Sequence, residues 1–361
     1  MKSHFKSFLI CTFFLQNAGM VLSQEINIVD PQKTEVETVS IIGVGDIMLG
    51  SHYPSANYLP PNDGKNILDS VKTYLRDADV TFGNLEGTLV DEGGEVKHCG
   101  NPAICYAFKM PTRYASYLTD AGFDVMSVAN NHVGDFGETG RKSTAATLKK
   151  EYINFAGLLA YPTTVFERNG VKYGMCAFSP NGGTLDIKNI PEAAKIVAEL
   201  STRCDIVIVS FHGGAEGSSR SHVTKTTEIF LNENRGNVHA FSHAMIDAGA
   251  DIVFGHGPHV TRAVELYKGR FIAYSMGNFC TYGRFNLQGI SGIAPIVKVF
   301  TSKTGEFQKA KIISIKQKGE GIPVVDASNR VYAELKKLTQ ADFPETSLTF
   351  TDTNEILPAK K

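Results

Sequence analysis

Apolar and polar positions follow two rhythms along this chain. The stretches Val39–Val44, Val80–Phe82, Val125–Val128, Ile206–Phe211 and Ile252–Phe254 are short and almost wholly apolar, the pattern of strands covered on both faces. Between them apolar residues recur at helical spacing over Lys65–Arg76 (Ile67, Leu68, Val71, Leu75), Thr112–Asp120, Thr139–Lys150, Ala193–Leu200 and Val238–Asp247. Two hairpins are expected. Thr164–Glu167 and Lys172–Phe178 flank Asn169–Gly170, and Ala263–Tyr267 and Arg270–Tyr274 flank Lys268–Gly269. Strands alternating with helices predict an α/β fold, and the hairpins predict antiparallel edges. After Gly283 the pattern weakens to two strands, Ile296–Phe300 and Lys311–Ile315, and residues 351–361 read as a loose tail.

The first residues read differently. Lys2 and Lys6 precede an apolar run from Phe8 to Leu15, and Val21 and Ser23 are small residues suited to signal-peptidase cleavage. Residues 1–23 are therefore expected to be a signal peptide and 24–39 a polar linker. The run is shorter than the ~20 apolar residues that span a bilayer. The expected product is exported, to a periplasm, cell envelope or extracellular space, with no transmembrane helix once the signal is removed. Lys+Arg of 36 against Asp+Glu of 37 leaves no basic excess for nucleic acid. Cys11 leaves with the signal. Of the remaining cysteines, Cys99 and Cys105 flank a Gly100-Asn101-Pro102 turn, and an oxidising compartment favours a disulfide between them.

Chemistry collects where the apolar runs stop. Asp46, Glu86, the Asn131–His132 pair, His212 and the His256/His259 pair each follow one of five strand-like runs, and the carboxyl ends of strands are where α/β sheets gather functional groups. Carboxylates, an amide oxygen and imidazoles make a mixed oxygen and nitrogen ligand set, which suits one or two divalent ions of Mn, Fe or Zn. Glu86 is the candidate bridging ligand; Asp46, Asn131, His212, His256 and His259 are the candidate terminal ones. His132 is the candidate catalytic acid for a leaving group. Asn84, Glu216 and Asn278 are read as supporting or substrate-facing, Glu216 either as an orienting partner of His212 or as a solvated loop acid. Arg220, Arg262 and Arg284 lie near these loops and read either as clamps for an anionic group or as surface residues. His52, His98, His222, His239 and His243 have no strand-end position and read as surface or structural residues. No GxxxxGK[ST], GxSxG or complete dinucleotide fingerprint occurs.

The ordered segments GDIMLG, GNLEG, ANNH, a strand-terminal His, GHGPHV and YSMGNF resemble the capsule-synthesis CapA family, associated with poly-γ-glutamate production. That family is similar in fold to the calcineurin-like metallophosphoesterases. The resemblance covers about Ser40 to Asn286. It implies a four-layer sandwich, two mixed β-sheets flanked by helices, over 40–286, with 287–350 as a C-terminal β extension packed on it. It also implies a metal-dependent, phosphoesterase-type hydrolytic site, an acidic polymer or phosphorylated envelope substrate, and an envelope synthesis machinery as partner. The alternatives are a non-hydrolytic, metal-containing accessory that binds an acidic envelope polymer, and a metal-dependent amidase. Relative to the phosphoesterase pattern, Met48 stands where the first His is expected and Glu86 replaces the bridging Asp.

Overall fold

The structure, a computed structural model, describes residues 37–99 and 106–359. The expected signal peptide, nearly all of the linker, and Cys105 lie outside the described residues; Cys99 is disulfide-bonded.

Strand Thr38–Met48 sets the plan. Its side chains alternate between two cores, with Val39 and Ile41 in one and Ile42 and Val44 in the other, as a period of two requires. On one side it pairs in parallel with Val80–Leu85, which continues to Val125–Ser127 and Asn154–Ala156. On its other side Ile293–Ser302 runs antiparallel, followed by Phe307–Lys318. The second sheet is built around Val171–Ser179, Ile206–His212 and Ile252–His256 in parallel. The two expected hairpins form its edges, Thr163–Arg168 against Val171–Ser179 and Val264–Tyr267 against Arg270–Ala273. Asn169, Gly170, Lys268 and Gly269 all take positive φ at the turns, as two-residue hairpin loops demand.

The sheets face each other across a core holding Ile41, Phe82, Val125, Met175, Ile208 and Phe254. Phe82 and Phe254 stack across it with ring centroids 5.3 Å apart. Helices Ala115–Ala121 and Gly137–Lys150 cover the outer face of the first sheet, burying Leu118, Ala145 and Leu148 against Ile42 and Val44. Helices Ile190–Ser201 and Val238–Asp247 cover the second, burying Val197, Leu200, Phe241 and Met245 against Val207 and Val253. The fold is thus α/β, a four-layer sandwich of two mixed sheets flanked by helices.

Three expectations need correction. Residues 287–350 are not an extension packed on the domain, because Ile293–Ser302 sits inside the first sheet beside Thr38–Met48. Of the expected loose tail, 351–361, the described part 351–359 is not loose: Glu355–Pro358 pairs with Phe307–Lys318 and with Leu348–Phe350, and Ile356 is fully buried. A run too short to show a period was enough, because the sheet edge supplies the partner. Over Lys65–Arg76 only Lys72–Leu75 is helical. Ile67, Leu68, Val71 and Leu75 are buried as the spacing suggests, but the chain first winds through four-residue turns such as Ile67 N–H to Gly64 O and Val71 N–H to Leu68 O. Asn66, Asp69 and Ser70 favour such local bonding over a helix. Helix Arg330–Asp342, which was not expected, closes one end of the sandwich with Val331, Leu335 and Leu338 buried.

Candidate metal centre

The strand ends of both sheets meet at one rim. Parallel register sets His212 opposite His256 on neighbouring strands, and Asp46 opposite both Asn84 and Asn278. Gly45 permits this approach: a Cβ there would lie 2.0 Å from the carbonyl oxygen of Gly277, closer than any side chain tolerates.

Asp46 is fully buried. Its Oδ1 accepts from Asn84 Nδ2 at 2.8 Å and lies 3.2 Å from His256 Nδ1, while Oδ2 faces His259 Nδ1 at 3.1 Å. Burial alone would raise its pKa, yet the imidazoles of His256 and His259 outweigh that and hold the carboxyl well below the usual range. His259 Nδ1 also lies 3.0 Å from Asn278 Oδ1. Both neighbours are acceptors, so Nδ1 carries the proton and Nε2 turns toward Glu86 Oε1, 3.6 Å away. Burial opposes the charged form of His259, but the carboxylates of Glu86 and Asp46 dominate and push its pKa up to about 10. Its backbone sits at φ 56°, a sparsely populated region for a non-glycine residue and a common mark of functional sites.

Glu86 occupies the middle. It is fully buried, and Oε1 lies 4.0 Å from Nε2 of both His132 and His212. Neither carboxylate oxygen has a hydrogen-bond partner, nor do the ring nitrogens of His212 and His256 or Oδ1 of Asn131. Burial, then the charge of Asp46, holds the Glu86 carboxyl well above its usual range, and burial holds His212 well below its own. Buried groups of this kind cost several kcal/mol each unless something satisfies them. One ligand atom each from Asp46, Glu86 and His259 already lie within 4.8 Å of one another. Unpaired carboxylate oxygens facing unpaired imidazole nitrogens are what a divalent cation would satisfy, so these residues fit the implied metal.

His132 is held from behind. Its Nδ1 lies 2.8 Å from Asp135 Oδ2, and the Phe108 ring packs against it at a tilt of 36°, centroids 4.2 Å apart. Burial, the largest influence, lowers its pKa against the pull of Asp135. Asn130 ties the loop together, donating to Leu85 O at 2.8 Å and Asn84 Oδ1 at 3.2 Å and accepting from His132 N at 3.1 Å.

The supporting residues divide. Asn84 holds Asp46 and Asn278 holds His259, as described. Glu216 does not orient His212: its Oε1 pairs with Arg235 and its Oε2 lies 4.0 Å from His259 Nε2. Of the three arginines, Arg262 is fully buried and makes two 2.8 Å bonds to Glu228, fixing the loop after His212 instead of clamping a ligand. Arg220 serves that same loop through its carbonyl oxygen, which accepts from Arg262 Nε at 2.8 Å. Arg284 lines a cavity of about 690 Å³ that opens beside the centre, together with Lys97, His98, His132, Glu216 and Arg235. Sequence reasoning missed Asn130, Asp135 and Arg235. Asp135 had a signal, a carboxylate three residues beyond a candidate catalytic His; Arg235 had none, since it reaches the cavity only through the Gly213–Asn237 loop. Met48 is wholly buried in the outer core and its sulfur accepts from Gly50 N–H at 3.3 Å.

Comparison with known proteins agrees with this reading of the motifs. The family described as bacterial capsule synthesis protein PGA_cap matches residues 40–282. The capsule biosynthesis protein CapA of Bacillus anthracis is 28% identical over 264 residues, 68% of this chain and 60% of that protein. The PGA biosynthesis protein CapA of Bacillus subtilis (strain 168) is 28% identical over 260 residues, 67% and 63% of the respective lengths. The chain thus spans about 60% of the length of these relatives. Among solved structures, a hypothetical protein of Thermus thermophilus aligns with a TM-score of 0.47 at 16% identity, over 77% of this chain and 99% of that one. Among the described residues no helix is long and apolar enough to cross a membrane.

Proposed function

The chain belongs to the bacterial capsule synthesis protein PGA_cap family, and on that premise we propose that its rim site is a divalent-metal centre that hydrolyses a phosphoester in the making or handling of an acidic envelope polymer. The observation carrying this reading is the set of buried, unpartnered ligand atoms on Glu86, His212 and His256. Asp46, Glu86, Asn131, His212, His256 and His259 would hold one or two ions of Mn, Fe or Zn. When bound, such an ion supplies Lewis-acid polarisation of the scissile group and acidifies a water. Asp46 and Asn278 keep the His259 proton on Nδ1, so that Nε2 is the ligand nitrogen. Asp135 does the same for His132, whose Nε2 is then the atom that exchanges a proton with the leaving oxygen. Arg235 and Lys97 at the cavity wall offer charge to an anionic substrate. Export is part of the proposal, supported by Lys2, Lys6 and the short apolar run that follows.

The test is metal content of the purified chain together with turnover of an aryl phosphate in Mn²⁺. Bound metal with turnover supports the proposal, and a metal-free protein with no turnover overturns it. The basic groups along the cavity favour a second reading, a metal-containing accessory that binds the acidic polymer without cutting it. Bound metal with polymer binding and no turnover would select that reading.

A further inference from the structure

Away from the cavity, His239 and His243 stand four residues apart on helix Val238–Asp247, a spacing that brings two side chains to one face. Glu265, on strand Val264–Tyr267, meets them there. One nitrogen from each imidazole and one Glu265 oxygen all lie within 4.8 Å of one another. His243 Nε2 is 3.1 Å from Glu265 Oε1 and 3.0 Å from Oε2, close to the roughly 3.3 Å that separates ligand atoms around a tetrahedral zinc ion with ~2 Å bonds.

The three groups are also supported from behind. Tyr274 donates its hydroxyl to Glu265 Oε2 at 2.7 Å, the outer bond that fixes a ligating carboxylate. The His243 ring stacks on Tyr267 at 3.7 Å, and the His239 ring runs nearly parallel to Tyr274 and Phe343. The nearby Lys225 and Glu345 pair with each other at 3.5 Å. A His243–Glu265 ion pair needs no second imidazole; here one is packed against the first, ring centroids 4.1 Å apart.

We propose that His239, His243 and Glu265 form a second divalent-cation site, one that takes zinc and leaves its fourth position to water. It is separate from the rim centre and does not depend on the hydrolytic reading. Its place is architectural: the helix directly follows the loop carrying Glu216 and Arg235, and Glu265 follows the loop carrying His259. Zinc there ties the ends of both loops together.

The full chain is stripped with a chelator, and Zn²⁺ alone is returned while bound zinc and the thermal midpoint are measured. A Glu86→Ala background weakens the rim centre. In that background one zinc is expected to bind and raise the midpoint, and adding His239→Asn is expected to weaken binding at least 10-fold and abolish the rise. Glu265→Gln, which keeps an acceptor for Tyr274, guards against misfolding of the first variant and is expected to behave alike. Zinc uptake and midpoint rise unchanged by either substitution, or no zinc bound in the Glu86→Ala chain, would overturn the proposal.

Discussion

Oδ2 of Asp135 lies 2.8 Å from Nδ1 of His132 and also accepts from the Phe108 backbone N–H at 2.7 Å, while Lys97 Nζ meets Oδ1 at 2.6 Å. The carboxylate is held on three sides, so the imidazole it faces has one tautomer and one orientation. His132→Ala is expected to keep its metal and lose hydrolysis. Asp135→Asn is expected to lower kcat roughly 10–100-fold with metal content unchanged, the usual range for an orienting partner. Metal analysis beside steady-state kinetics checks both; a His132→Ala protein that is empty of metal would mean that His132 is a ligand.

Glu86 has no hydrogen-bond partner for either carboxylate oxygen, and the His256 ring has only Asp46 Oδ1, 3.2 Å from its Nδ1. Each of Glu86→Ala and His256→Ala is expected to abolish tight metal binding at the rim centre, while the separate His239, His243 and Glu265 group still takes zinc. Metal retained after dialysis against chelator, at wild-type stoichiometry, would count against the ligand assignment.

Arg235 is 4% exposed, gives one nitrogen to Glu216, lies 3.6 Å from Glu233 through Nη1, and has no hydrogen-bond partner for Nε. Its remaining donors suit an anionic group entering the cavity. Arg235→Gln is expected to raise KM for a charged substrate about 10-fold, or ~1.4 kcal/mol, with a smaller effect on kcat. Repeating the measurement at high salt should narrow the difference.

Asp251 gives a pH dependence remote from the centre. Burial raises its pKa from 3.8 to about 6, despite the Val207 N–H it accepts and the nearby Arg270. The folded chain therefore binds this proton more tightly than the unfolded one. Its contribution to stability is fullest below pH ~4 and is lost as pH rises toward 6, by on the order of 3 kcal/mol at most. Asp251→Asn, which keeps the acceptor for Val207, is expected to flatten urea midpoints across that window.

Much of this centre was legible because strand ends are local events. An apolar run that stops at Asp46 or His212 announces both the strand and the residue at its rim, and hairpins at Asn169–Gly170 and Lys268–Gly269 need only their own turn chemistry. What stayed hidden depends on distant partners. Helix Arg330–Asp342 buries Tyr332 and Leu338 against strands that precede it by several elements, and its polar residues mask the stripe. Arg235 reaches the cavity through a loop whose path is set by the buried Arg262–Glu228 pair. Met48 also misleads: read against the phosphoesterase pattern it is a missing ligand, whereas in the fold it is core packing. Met48→His should accordingly cost on the order of 1–3 kcal/mol in denaturant unfolding, because a buried ring nitrogen is left without a partner.

The antiparallel pairing that runs from Thr38–Ser302 to Val44–Ile296 orders how the molecule comes into being. The first strand is made early, but the neighbour on one of its sides is more than 250 residues away along the chain, and contacts of such long range are slow to close. Until the later segment emerges, Ile41 to Val44 presents a bare, apolar strand edge of the kind that recruits other chains. A chain cut after Asn286 would keep every proposed rim ligand and still lack this closing strand, and its expected fate is aggregation.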